Sequence, residues 1–201
     1  MLNELLKNKK FIEISEKFLR FEEILDIIVF GSTIRGKDYP NDLDILIIFP
    51  KKINHEIEYQ LRKDYEKLNL KIDLIAKTYN ELFSAHFLAK ESIVHEGYSI
   101  KHKKMINSLL GYKGFVLFRY YFEKMNNSDR MRFYYSLYGR GKEKGVLDTY
   151  CSIKFSDSII LVPVEYCDQI KDFFYKKEIK FDWFKVLFEG RKSDKKFLEL
   201  K

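Results

Sequence analysis

Between residues 10 and 25 the apolar side chains Ile14, Phe18, Phe21 and Leu25 recur at spacings of four, three and four, which predicts an amphipathic helix leading into a first strand. Residues 26–30, Asp-Ile-Ile-Val-Phe, read as that strand. A polar turn carrying Gly31, Gly36, Pro40 and Asn41 separates it from residues 42–49, which alternate and then become continuously apolar, the pattern of a central strand. Pro50 ends that run. Residues 54–68 place Ile57, Leu61, Tyr65 and Leu68 on one helical face, and residues 70–76 have the length and branched side chains of a third strand. The first half therefore reads strand, turn, strand, helix, strand.

Beyond Tyr79 the periodicity weakens: a helix is expected over residues 81–89, with no clear pattern around Gly97. Residues 113–138 are dense in aromatics, and Ser128-Asp129 reads as a helix start before residues 130–138. Residues 139–145, Gly-Arg-Gly-Lys-Glu-Lys-Gly, form a basic, glycine-rich loop that reads as a hinge. A strand at 158–162, a helix at 164–176 and a strand at 180–188 close a small α/β unit, followed by a charged tail from Arg191. The domains expected are 1–100, a basic, aromatic-rich 101–190, and the tail 191–201. No repeat or low-complexity segment is visible.

A chain of 201 residues with 46% apolar content can bury a domain-sized core, which excludes global disorder. Its longest apolar runs, such as 45–49, fall far short of the roughly 20 residues a membrane span needs, and the start lacks a basic flank before an apolar run. The expectation is a soluble, cytoplasmic protein with no membrane segment. Cys151 and Cys167 are too few for a disulfide framework, and neither they nor His55, His86, His95 and His102 show metal-ligand spacing. The net charge of +7 is uneven: between Lys101 and Gly145 eleven Lys and Arg face three acids, 11 − 3 = +8. That segment favours a polyanion such as RNA. The aromatics within it, Phe115, Phe118, Tyr120, Tyr121, Phe133, Tyr134, Tyr135 and Tyr138, suit base stacking beside Arg119, Arg130, Arg132 and Arg140, but helix-face spacing favours a core.

Chemistry concentrates in Ile28-Val29-Phe30-Gly31-Ser32, nine intervening residues, then Asp42-Leu43-Asp44. Residues two apart on a strand share a face about 7 Å apart, so Asp42 and Asp44 can converge on a cation. Two acids leading into an apolar strand are costly unless a cation compensates them. Gly31 and Ser32 sit where a strand turns into a short helix, which exposes backbone N–H groups to a phosphate. Asp73, inside the third strand, completes a cluster of three if that strand lies beside the second. Such a cluster suits two-metal in-line displacement.

The Gly31-Ser32 pair, the spaced Asp-x-Asp, the later strand acid and the Arg35-Gly36 continuation resemble the signature of minimal nucleotidyltransferases of the polymerase-beta superfamily. The resemblance is good over about residues 26–76 and weaker to about Tyr98. It implies an α+β fold, a mixed sheet flanked by helices with a small C-terminal α/β extension. It also implies that Gly31 and Ser32 bind phosphates of a nucleoside triphosphate, most naturally ATP, with Arg35 in a secondary role. Asp42 and Asp44 would bind two Mg2+ ions, and Asp73 would complete the metal and catalytic site beside an acceptor hydroxyl. The implied reaction moves a nucleoside monophosphate to a hydroxyl of RNA, such as a tRNA 3′ end, of protein, or of a small molecule, and releases pyrophosphate. Members of the family also pair with a separate partner protein. The alternative is an inactive nucleotidyltransferase-fold module that binds RNA or regulates a partner.

Overall fold

The computed structural model describes residues 2–36, 42–123 and 125–190, so Pro40 and Asn41 of the polar turn and the charged tail 191–201 lie outside the described residues. The chain divides into two compact units, Met1–Leu110 and Gly111–Lys201.

The first unit starts with α1 (Leu2–Lys7) and α2 (Lys9–Phe18), the second capped by Asn8, whose side chain accepts from the Phe11 amide at 3.2 Å. The helix expected to reach Leu25 stops at Phe18 instead, and Phe21 is 41% exposed. The chain has to reverse there, because the Leu25 amide already donates to Ile48 O at 2.7 Å and starts the sheet.

That sheet contains β1 (Asp26–Phe30), β2 (Leu43–Phe49), β3 (Ile72–Thr78), β4 (Tyr98–Ser99) and β5 (Lys104–Met105), in the order β3-β2-β1-β4-β5. β1 runs antiparallel to β2 and β4, whereas β2 and β3 are parallel, joined through α3 (His55–Glu66). Asn54 caps α3, its side chain accepting from the amides of Glu56 and Ile57. In place of the helix expected over 81–89 there is a 3-10 turn at Asn80–Phe83, and the true helix, α4 (Lys90–Glu96), begins later. Glu81 explains the early break, since its carboxylate accepts from both the amide and hydroxyl of Thr78, at 2.7 Å each, and Ser84 is extended. The stretch around Gly97 becomes β4, β5 and the single-turn helix α5 (Ile106–Leu109).

Alternation divides the sheet. Ile28, Phe30, Leu46 and Ile48 pack with Phe87, Ile93 and Ile106, so α4 and α5 cover one face. Ile27, Val29, Ile45 and Ile47, all fully buried, face the other way, on the side left for α2 and α3. Phe11 and Tyr65 from those helices stack at 5.0 Å, and the Tyr65 hydroxyl lies 2.7 Å from Ser15 Oγ. β3 is an edge strand, and side chains occupy two of its groups: Arg62 donates to Leu74 O at 2.9 Å, and Glu81 takes the Thr78 amide.

The second unit is built on an antiparallel sheet ordered β11-β6-β10-β9, from β6 (Tyr112–Tyr121), β9 (Ile153–Ser156), β10 (Ile159–Pro163) and β11 (Lys180–Glu189). Its core joins Val116, Phe118, Tyr120, Ile160 and Val162 to Phe133 and Leu137 of α6 (Asn127–Tyr138) and Ile170 and Phe174 of α8 (Cys167–Lys176). The aromatics of the basic segment thus supply core, although Phe118 and Tyr120 do so by alternation along a strand that helix-face spacing did not foresee. The glycine-rich loop does not join the two units: it folds inside this one as a hairpin, β7 (Gly139–Arg140) with β8 (Glu143–Lys144), followed by α7 (Val146–Thr149). The expected strand at 158–162, helix at 164–176 and strand at 180–188 correspond to β10, α8 with a preceding 3-10 turn, and β11.

Candidate active site

Three strand ends meet at one edge of the first sheet. Because β1 is antiparallel to β2, its last residue, Phe30, pairs with Asp44 near the start of β2. Because β2 and β3 are parallel, Asp44 pairs with Asp73 near the start of β3. The two carboxylates therefore share the face that carries Leu46, Ile48 and Ile75 further along, beyond which the core closes. Asp42 sits two residues ahead of Asp44, half-exposed, with Lys71 Nζ 4.0 Å from its Oδ2. Asp73 is exposed, as the end of an edge strand allows.

The electrostatics follow from this packing. Burial raises the Asp44 carboxyl above the ordinary carboxylate range; the negative charges of Asp42 and Asp73 push it further up, Arg35 pulls it down, and Glu96 adds a smaller push upward. The charges of Asp42 and Asp73 thus both reach Asp44. Among the described residues, no group of three or more His, Cys, Asp or Glu side chains is arranged to hold a metal ion by itself.

Gly31 opens the turn that follows β1, a short 3-10 segment over Gly31–Thr33. Its φ of +77° is a left-handed conformation, and a Cβ placed there would overlap the Asp44 carboxylate. Glycine is therefore required twice, by the backbone and by the acid behind it. The amides of Ile34 and Arg35 both return to Gly31 O, at 3.1 and 3.3 Å, so those of Ser32 and Thr33 precede the turn's first internal donors. Ser32 is partly exposed beside them.

Arg35 makes a contact that the sequence did not disclose: its Nη1 donates to Oε1 of Glu96 at 2.8 Å. Glu96 closes α4 and is fully buried. Sixty-one positions separate the pair, and the only hint is an acid set among Ile93, Val94 and Tyr98. The basic segment from Lys101 to Gly145 is divided between the two units. Lys101, Lys103 and Lys104 belong to the first unit, Arg130 donates to Phe122 O at 3.1 Å, and Arg132 lies 3.5 Å from Asp129.

With this geometry in place, the chain can be compared with known proteins. Residues 12–104 match the family described as polymerase beta, nucleotidyltransferase. The first unit, with its mixed sheet flanked by helices, has the α+β fold of a nucleotidyltransferase domain. Among solved structures, the chain is similar to a mutant of the toxin-antitoxin MntA-HpeT at 22% identity and a TM-score of 0.35, covering 44% of this chain and 71% of that one. It is also similar to a tri-AMPylated Shewanella oneidensis HEPN toxin in complex with MNT antitoxin, at 21% identity, a TM-score of 0.34, and 50% and 71% coverage. A third is a toxin-antitoxin with AMP-PNP, at 24% identity, a TM-score of 0.35, and 44% and 71% coverage. No curated protein matches the chain.

Proposed function

We propose that the first unit transfers a nucleoside monophosphate from a nucleoside triphosphate, ATP in the first instance, to a hydroxyl acceptor and releases pyrophosphate. The observation that carries this reading is the register of Asp44 against Asp73 on neighbouring parallel strands, directly behind the turn that Gly31 opens.

The donor set fits Mg2+. All three side chains offer hard oxygens, and Mg2+ is ordinarily held by one or two carboxylates together with substrate phosphates, so a complete protein cage is not required. Asp42, Asp44 and Asp73 would hold two such ions. When bound, the ions neutralise charge on the phosphates and ease ionisation of the attacking hydroxyl. The chain's own residues do the rest. The Ser32 hydroxyl and the first amides of the turn donate to phosphate oxygens, and Gly31 lets them approach. Arg35 adds a cation at the same turn. Asp73, the most open of the three acids, would accept a proton from the acceptor hydroxyl.

Purified protein incubated with each labelled triphosphate, Mg2+ and extracts of RNA and protein tests this directly. Label is expected in one fraction, and which fraction identifies the acceptor as RNA or as a separate partner protein. Equal labelling by an Asp42→Ala, Asp44→Ala double variant would overturn the mechanism. The charge excess between Lys101 and Gly145 favours a second reading, a non-transferring module that binds RNA. It requires RNA affinity that falls steeply with salt in the absence of pyrophosphate release.

A further inference from the structure

We infer that Glu96 is a positioning residue for the nucleotide site, holding the Arg35 guanidinium at the turn after β1 so that it meets phosphate instead of settling on the Asp44 carboxylate. The inference rests on the function proposed above.

Glu96 belongs to none of the motifs that define the site, yet its side chain is only 1% exposed, against 27% for Arg35. A carboxylate so buried needs a compensating cation, and Arg35 Nη1 supplies one at 2.8 Å. The pair therefore has a buried end at Glu96 and a partly exposed end at Arg35. Its buried end is fixed by the backbone around it: the Gly97 amide donates to Ile93 O at 2.8 Å, and Asn107 Nδ2 donates to His95 O at 2.6 Å. Gly97 itself lies against Ile28 of β1 and Ile106, and a Cβ there would strike the Ile93 carbonyl.

The partly exposed end lies where chemistry needs it. Arg35 is four residues past Gly31, its amide bonded to Gly31 O, and a Cβ on Gly31 would overlap the Asp44 carboxylate. An unrestrained guanidinium near the Asp44 carboxylate would be drawn to it and compete with Mg2+. The bond to Glu96 draws it toward α4. A planar fork held at one end is also well suited to grip phosphate at the other.

Binding of a non-hydrolysable triphosphate with Mg2+, measured by calorimetry, separates this role from a merely structural one. Glu96→Gln keeps the side chain's shape and removes its charge; it is expected to weaken triphosphate binding and raise KM about tenfold while kcat moves little. Arg35→Lys, which leaves Glu96 a cation, is expected to do the same. Combining the two should add little, because both act through one guanidinium. A folded Glu96→Gln protein that melts earlier but binds triphosphate as tightly as wild type would overturn the inference, as would Arg35→Lys with wild-type affinity. Wild-type protein that binds no triphosphate would instead sink the underlying function.

Discussion

Asp44 is the residue on which most of the site's physics converges. Its carboxyl titrates above the ordinary range because burial, Asp42 and Asp73 all disfavour its charge. A carboxylate with a raised folded pKa is strained at neutral pH, and the strain is relieved as pH falls and the group protonates. Asp44→Asn should therefore raise the melting temperature of metal-free protein at pH 7 and abolish the gain at low pH. The same variant should lose at least about a hundredfold in transfer activity, as expected when a group that stabilises developing charge is removed. Scanning calorimetry across pH, beside a labelling assay, reads both effects. Gly31→Ala tests the neighbouring constraint: φ is +77° and the new methyl would meet the Asp44 carboxylate. A destabilisation of about 1–3 kcal/mol, together with loss of triphosphate binding, is expected in denaturant titrations and calorimetry. All six sequence-predicted site residues stand at this edge of the sheet. They were legible because strand alternation and a glycine turn are local features. Glu96 was not, because only the fold brings it to Arg35.

At the scale of elements, the two helices on the back of the first sheet are joined by a charge network as well as by packing. Asp64 of α3 accepts from Lys67 at 2.7 Å and from Lys17 of α2 at 3.1 Å, and the Lys67 bond, followed by Lys17, holds its carboxyl below the ordinary range. A depressed carboxylate pKa stabilises the fold above the unfolded value and ceases to do so as pH falls through the folded one. Asp64→Asn should consequently cost about 1 kcal/mol at neutral pH, since both lysines are largely exposed and screened. It should also flatten the loss of stability below about pH 4, measurable by urea titration at pH 6 and pH 3. β1, β2, α3 and β3 were readable because each carries its own period. The over-long first helix was not, because its end depends on a distant partner, Leu25 on Ile48, and the misplaced helix at 81–89 was not, because a side-chain bond, Thr78 to the Glu81 carboxylate, breaks the helix without changing the apolar period.

For the whole molecule, every residue of the proposed site lies in Met1–Leu110, so a fragment ending at Leu110 should fold and retain triphosphate binding. Circular dichroism and calorimetry on that fragment check the expectation. The second unit has its own core, in which Phe133 meets the rings of Tyr120, Phe122, Phe173 and Phe174. Phe133→Ala should destabilise that unit by about 3–5 kcal/mol in thermal melts. Sequence alone brought out the fold class and the candidate site residues, because a strand exposes its period and its acids within a few positions. It also carried the charge excess between Lys101 and Gly145, which is a sum over residues and needs no fold. Tertiary structure alone decided that this charge is divided between two units, that β6 is a strand burying aromatics by alternation, and that Glu96 holds Arg35. Each of these depends on contacts between positions far apart in the chain, which no local pattern of polar and apolar residues encodes.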